Sequence, residues 1–190
     1  MTETSKISWI KLGEAPSTPE SKEVYEKTKE RLGFVRNSQY TVAHKPKFLA
    51  AQEALSRSLM QDQDSSLTPK ERELIALVVS VDNSCDACIF GHSSALRKVT
   101  GDAVWVGEVE ANYRRATLTE RERAVADYAI KMTRGAAEIE PSDMDVLRKV
   151  GLSETDIIHL VGIAAYFNFS NRVNSALGVK PNSEAYKANR

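Results

Sequence analysis

The chain is poor in cysteine, with two in 190 residues, so no disulfide framework can hold the fold together. Those two, Cys85 and Cys88, are close neighbours. A bridge between them would close too short a loop to constrain much of the unfolded chain. In a reducing compartment such a pair is expected to be redox-active or metal-binding. Net charge is lacking as well: 26 Lys+Arg against 26 Asp+Glu give a formal charge of zero. Bulk charge therefore draws the chain to neither nucleic acid nor an anionic membrane. No apolar run approaches the length of a membrane span. The opening MTETSKISWIKLGEA lacks the basic start and apolar stretch of a signal peptide, which makes the cytoplasm the expected location.

Period-two alternation is also missing, and no low-complexity linker divides the chain. What is present is helical punctuation. Pro19 to Leu32 is charged and continuous, as in a surface helix. Pro46 to Asp62 carries Phe48, Leu49, Ala51 or Gln52, Leu55 and Leu59 close to a 3.6-residue period. Thr68-x-x-Glu71 is a capping box ahead of an apolar run to Val81, and Thr119-x-x-Glu122 is a second, ahead of a helix to Arg134. Asp82-Asn83-Ser84 breaks the first of these runs and can cap a helix over 84–99. Shorter helices are expected over 102–112 and 142–150, and a long apolar one from Ser153 to Leu177, ended by Gly178. The reading is all-α, a single domain over 1–190 with about seven or eight helices. Residues 1–18 form an N-terminal arm and 181–190 a loose polar tail. Leu67-Thr68-Pro69-Lys70-Glu71-Arg72 echoes Leu118-Thr119-Glu120-Arg121-Glu122-Arg123, and Ser94-Ala95-Leu96 echoes Ser175-Ala176-Leu177. The two echoes differ in offset, so duplication and coincidence between capped helices explain them equally well.

On a helical wheel Cys85, Cys88, Ile89, His92, Ala95, Leu96 and Val99 share an arc of roughly 120°, with Ala87, Ser94, Arg97 and Lys98 opposite. Both thiols and the imidazole thus lie on the inward stripe. Residues i and i+3 of a helix have Cα atoms about 5 Å apart, within disulfide range. Cys88 and His92, at i and i+4, can meet. Imidazole can take a thiol proton near neutrality, and a helix N-terminus favours the thiolate. One thiol can then be oxidised to a sulfenic acid and the other condense with it. Three plainer readings compete. The cysteines can be small buried hydrophobes. The trio can bind zinc, although only three ligands are visible. His92 can be a satisfied core histidine.

Glu73 precedes Cys85 by one helix and sits at the edge of the apolar face, beside Ala76, Leu77 and Ser80. If the two helices fold back on each other, its carboxylate can orient His92 or pass a proton to solvent. The competing explanation is that acidic residues favour the first helical turn. Glu71 is accounted for by the capping box. On the last long helix, Tyr166, Phe167 and Phe169 are expected in the core, while Asn168, Asn171 and Arg172 are candidates for a pocket or subunit contact. His44 and His159 have no visible partner and are taken as structural or surface residues.

Glu73 followed by Cys85-Asp86-Ala87-Cys88-Ile89-Phe90-Gly91-His92 resembles the Glu…CxxCxxxH signature of the AhpD-like alkylhydroperoxidases, in the carboxymuconolactone decarboxylase superfamily. LTPKERELIALVVSVDNSCDACIFGHSSALRK, LTERERAVADYAIKMTR and AAYFNFSNRVNSALGV resemble its peroxidase-related branch, over residues 7 to 180 or so. The resemblance implies a multi-helix fold with a central antiparallel hairpin carrying the CxxC motif, and a homo-oligomer. It implies reduction of hydrogen peroxide or organic hydroperoxides by a cysteine pair, with no bound cofactor or metal and an external dithiol reductant. Carried over by motif, Cys88 is the peroxidatic thiol, Cys85 the resolving one, and Glu73 with His92 the proton relay. One departure stands out: Ala87 occupies the place between the cysteines where the best-known members have histidine. Beside the peroxidase stand two alternatives, a thiol–disulfide oxidoreductase and a non-enzymatic helical oligomer with a redox-sensing or metal-stapled site.

Overall fold

The computed structural model describes residues 6–12 and 18–190, and among them the chain is all-helical. The helices are α1 (Pro19–Leu32), α2 (Asn37–Val42), α3 (Pro46–Met60), α4 (Pro69–Asp82), α5 (Asp86–Thr100), α6 (Ala103–Asn112), α7 (Glu120–Gly135), α8 (Pro141–Lys149), α9 (Glu154–Ala176) and α10 (Ser183–Lys187). Part of the expected N-terminal arm, 1–5 and 13–17, lies outside the described residues. No single helix among those described is long and apolar enough to cross a membrane.

Capping chemistry fixes where the main helices begin. Thr68 Oγ1 accepts from the Glu71 amide at 3.1 Å, and Glu71 Oε2 accepts from the Thr68 amide at 2.8 Å. Thr119 and Glu122 repeat the arrangement at 3.1 and 2.9 Å. Ser153 and Asp156 form a third box that starts α9. Each such cap is worth about 1 kcal/mol. The first two boxes also grip each other. Arg121 Nε donates to Glu71 Oε1 at 2.6 Å, and Lys70 Nζ lies 2.6 Å from Glu122 Oε1. The second residue of each helix thus pairs with the third residue of the other, a reciprocal contact between the echoed segments.

Helix α4 is the axis of the core. Leu74 through Val79 are all buried, so this helix has no polar face to give it a strong period. It packs on α5, α7 and α9, with Val125, Ala126, Ala129, Leu160, Ile163 and Ala164 closing around it. A smaller cluster of Val24, Tyr25, Val42, Ala43 and Leu49 joins α1, α2 and α3. At the other end, residues 6–12 run beside the end of α9: the Trp9 amide donates to Leu177 O at 3.0 Å and the Lys180 amide to Ile7 O at 2.9 Å. A Cβ at Gly178 would collide with the Trp9 ring, and its φ of +60° favours glycine independently.

Five expectations need correction. Helix α3 turns Leu49 and Glu53 inward, leaving Phe48 and Leu55 largely exposed; Glu53 is buried because it pairs with Arg36 at 2.5 Å. Ser84 is not the cap of α5, since the capping position falls on Cys85. The 181–190 tail is not loose. It forms α10, packs on α5, and takes the Arg97 guanidinium as a donor to the carbonyls of Ala185, Tyr186 and Ala188. Arg97, placed on the outer face by the wheel, is therefore buried, while Val99 of the supposed inner stripe is exposed. The count also rises to ten among the described residues, because α2 and α10 are too short to show a period.

Candidate active site

Three residues, Asn83–Cys85, separate α4 from α5. Ser84 has φ +53°, a left-handed conformation that costs a residue with a Cβ about 1–2 kcal/mol. Two helices hold this turn in place. Arg134 of α7 donates to Asp82 through Nε at 2.9 Å. From α9, Asn168 Oδ1 and Asn171 Oδ1 accept from Asn83 Nδ2 at 3.0 and 3.1 Å. Asn171 is fully buried and also donates to Ser80 Oγ at 3.1 Å, and Asn168 donates to Thr133 Oγ1 at 2.9 Å. Arg172 closes the network on Asn168 Oδ1 at 2.7 Å. The Asn168, Asn171 and Arg172 side chains thus brace the turn that carries the cysteines. Phe169, expected in the core, is 41% exposed, unlike Tyr166 and Phe167, which are core residues as expected.

This bracing delivers Cys85 to the N-cap of α5, where its side chain makes no capping hydrogen bond. Cys88 follows in the first turn, at the positive end of the helix, where negative charge on sulfur is favoured. The two are paired as a disulfide, with Cα atoms 5.3 Å apart. Cys85 is 1% exposed and Cys88 8%, so an incoming molecule meets Cys88 first.

His92 lies one turn further along α5. Its Nδ1 is 2.8 Å from Glu73 Oε2 on α4, and both side chains are 18% exposed. With Nδ1–H donating to the carboxylate, Nε2 carries the lone pair. Phe167 packs its ring edge-to-face on the imidazole, with centroids 4.3 Å apart and planes at 81°. Tyr166 stands next to Phe167, and burial pushes its phenol above the ordinary value, so it is a neutral part of the wall. Of the four residues singled out in the sequence, Glu73 of α4 pairs with His92 of α5, and Cys85 pairs with Cys88 at the start of α5. His44 and His159 are held by backbone carbonyls of Lys11 and Leu59 and belong to neither pair.

Sequence reasoning missed Asn174. It is buried, and its Nδ2 lies 3.2 Å from Cys88 Sγ. Its signal was present: Asn168, Asn171 and Asn174 recur every third residue on one helix.

The carboxymuconolactone decarboxylase family model matches residues 46–129, which run from the start of α3 into α7 and include the whole cysteine motif. A peroxidase-related protein from Silicibacter sp. TM1040 is 37% identical, with a TM-score of 0.92 over 100% of both chains. The chain belongs to the AhpD-like carboxymuconolactone decarboxylase family. A second member of known structure, from Ralstonia eutropha JMP134 and described as an alkylhydroperoxidase AhpD core, is 31% identical, with a TM-score of 0.92 over 97% of each chain. The debrominase Bmp8 shares the fold at 20% identity, with a TM-score of 0.76 over 95% of this chain and 94% of its own. No curated protein matches the chain in sequence. The AhpD-like fold expected from the cysteine motif is thus the fold observed.

Proposed function

We propose that this AhpD-like protein is a thiol peroxidase that reduces hydrogen peroxide or organic hydroperoxides. The observation that carries the reading is the Glu73–His92 hydrogen bond, running from α4 to the same helix face as Cys88, beside a cysteine pair at a helix N-terminus.

The steps follow from the residues. His92 Nε2 takes the Cys88 proton, and Glu73 stabilises the resulting imidazolium. The Cys88 thiolate attacks one peroxide oxygen. An S–O bond forms, the O–O bond breaks, and the leaving alkoxide takes the proton from His92. Sulfur is oxidised by two electrons and the peroxide is reduced by two. The Cys85 thiol then attacks the Cys88 sulfenic acid: the S–S bond forms as the S–O bond breaks, and the leaving hydroxyl takes the Cys85 proton and departs as water. An external dithiol returns the pair to the reduced form by exchange. No cofactor or metal enters these steps. A cytoplasmic setting suits this reading, since a reducing compartment supplies the dithiol, and a homo-oligomer is what the family resemblance implies.

Steady-state consumption of cumene hydroperoxide with dithiothreitol tests the reading. Cys88→Ser is expected to abolish turnover, with the fold retained by circular dichroism. Full activity in both Cys88→Ser and Cys85→Ser would sink it. One observation favours a second reading: a CxxC pair capping a helix also suits thiol–disulfide exchange. Oxidation of the reduced protein by hydroperoxide and by a small disulfide separates the two. Faster reaction with the disulfide would favour the oxidoreductase.

A further inference from the structure

Asn174 is a buried neighbour of Cys88. It comes from the end of α9, is 5% exposed, and places Nδ2 3.2 Å from Cys88 Sγ. Its Oδ1 is buried and has no hydrogen-bond partner among the described residues. Burying an amide oxygen without a partner costs free energy, so the side chain is not explained as a satisfied core asparagine. The backbone holds it firmly: the Val179 amide donates to Asn174 O at 3.0 Å as the chain leaves α9. Beside a reactive sulfur, the carboxamide offers one donor already aimed at that sulfur and one vacant acceptor. Cys85 has no such side-chain donor on its sulfur among the described residues.

We propose that Asn174 is a catalytic group of the thiol site, serving Cys88 in two successive states. In the reduced protein its Nδ2–H donates to the Cys88 thiolate and favours that form over the thiol. After oxidation its Oδ1 accepts the O–H of the Cys88 sulfenic acid and holds that group for attack by Cys85. The bond changes are those of the peroxide reaction: S–O forms as O–O breaks, then S–S forms as S–O breaks and water leaves. The second role rests on the peroxidase reading; the first does not.

A hydrogen bond to a charged acceptor is stronger than a neutral one, and its loss falls on the thiolate alone. The test uses the reduced full-length chain in a Cys85→Ser background, so that Cys88 is the sole thiol. Its rate of alkylation by iodoacetamide is measured against pH for Asn174, Asn174→Ala and Asn174→Leu. Leucine has nearly the same shape as asparagine and neither donor nor acceptor, so it preserves packing if alanine leaves a damaging cavity. Every charged or titratable group on the elements packed about Cys88, among them Glu73 and Asp82 of α4, Asp86 and His92 of α5 and Arg172 of α9, is common to all three proteins. Both variants are expected to raise the apparent Cys88 pKa by about one unit. On the acid limb alkylation then slows about tenfold, while the high-pH plateau stays the same. A merely structural side chain would lower the plateau or the melting temperature without moving the midpoint. Unmoved midpoints in both folded variants would overturn the donor role.

In the same proteins, one equivalent of hydrogen peroxide followed by dimedone trapping reads the second role. The variants are expected to lose the sulfenic acid faster than the Asn174 parent. Equal lifetimes would overturn the acceptor role. If the parent itself yields no sulfenic acid while the midpoints shift as expected, the peroxidase reading falls and the thiolate role of Asn174 stands.

Discussion

At the scale of single residues, two side-chain hydrogen bonds define the site, Glu73 with His92 and Asn174 with Cys88. Glu73 holds the His92 ring by Nδ1, and Phe167 fixes its plane, which leaves Nε2 for proton transfer. Replacing Glu73 by Gln keeps the shape but removes the charge that favours the imidazolium. Hydroperoxide turnover is expected to fall roughly 10²-fold with little change in melting temperature, the usual scale for losing a general acid–base partner. Cys85, Cys88 and His92 were legible because helical spacing alone places them on one face. Glu73 was half legible: its position at the edge of the apolar face was visible, but an acidic residue in a first turn has an ordinary explanation too. The asparagine spacing of α9 was visible, but the contact of Asn174 with Cys88 was not legible, because a contact between residues 86 apart in sequence depends on how α9 crosses α5.

Elements explain why the site holds its geometry. The left-handed Ser84 is tolerated because Arg134 and the two asparagines of α9 grip the residues before it. Asn171→Leu removes two buried hydrogen bonds and leaves Ser80 and Asn83 short of partners. It is expected to destabilise the protein by about 2–3 kcal/mol in urea unfolding. Reduction of the Cys85–Cys88 disulfide should also become less uniform in rate, since the turn that carries Cys85 is freed. Helix α10 acts on the other side of α5. Truncation after Lys180 strips Arg97 of its four acceptor contacts and uncovers Phe90, which stacks on Tyr186. A comparable loss of about 1–3 kcal/mol is expected, read by the urea midpoint. The capped helices were legible from Thr68 and Thr119, whose partners lie three residues away, while the Ser153–Asp156 box emerged only in the structure. The tail was not, because its polarity suggests a loose end when the buried guanidinium it satisfies cannot be seen.

For the whole molecule, charge pairing between helix starts links stability to pH. Burial alone would raise the Asp156 carboxyl, but hydrogen bonds from Ser153 and Ser66 hold it well below the usual carboxylate range. Glu122 is likewise lowered against burial, through Lys70 and the Thr119 cap. Carboxyls with depressed folded pKa values bind fewer protons in the native state than in the unfolded one. Their contribution is complete above the unfolded values, 3.8 for Asp and 4.5 for Glu. It is lost as pH falls below them. Urea midpoints should therefore fall between pH 5 and about pH 3, and less steeply in Asp156→Asn than in the parent. The reciprocal Lys70–Glu122 and Arg121–Glu71 pairs also give the echoed segments a physical role, joining α4 to α7. The central claim, that this AhpD-like fold carries a peroxidatic cysteine pair, is tested most directly by intact-mass spectrometry of the reduced protein after one equivalent of hydrogen peroxide. The account predicts an intramolecular disulfide in the wild type, one added oxygen on Cys88 in Cys85→Ser, and an unmodified chain in Cys88→Ser. Unmodified wild-type protein, or oxygen added to Cys85 in Cys88→Ser alone, would contradict it.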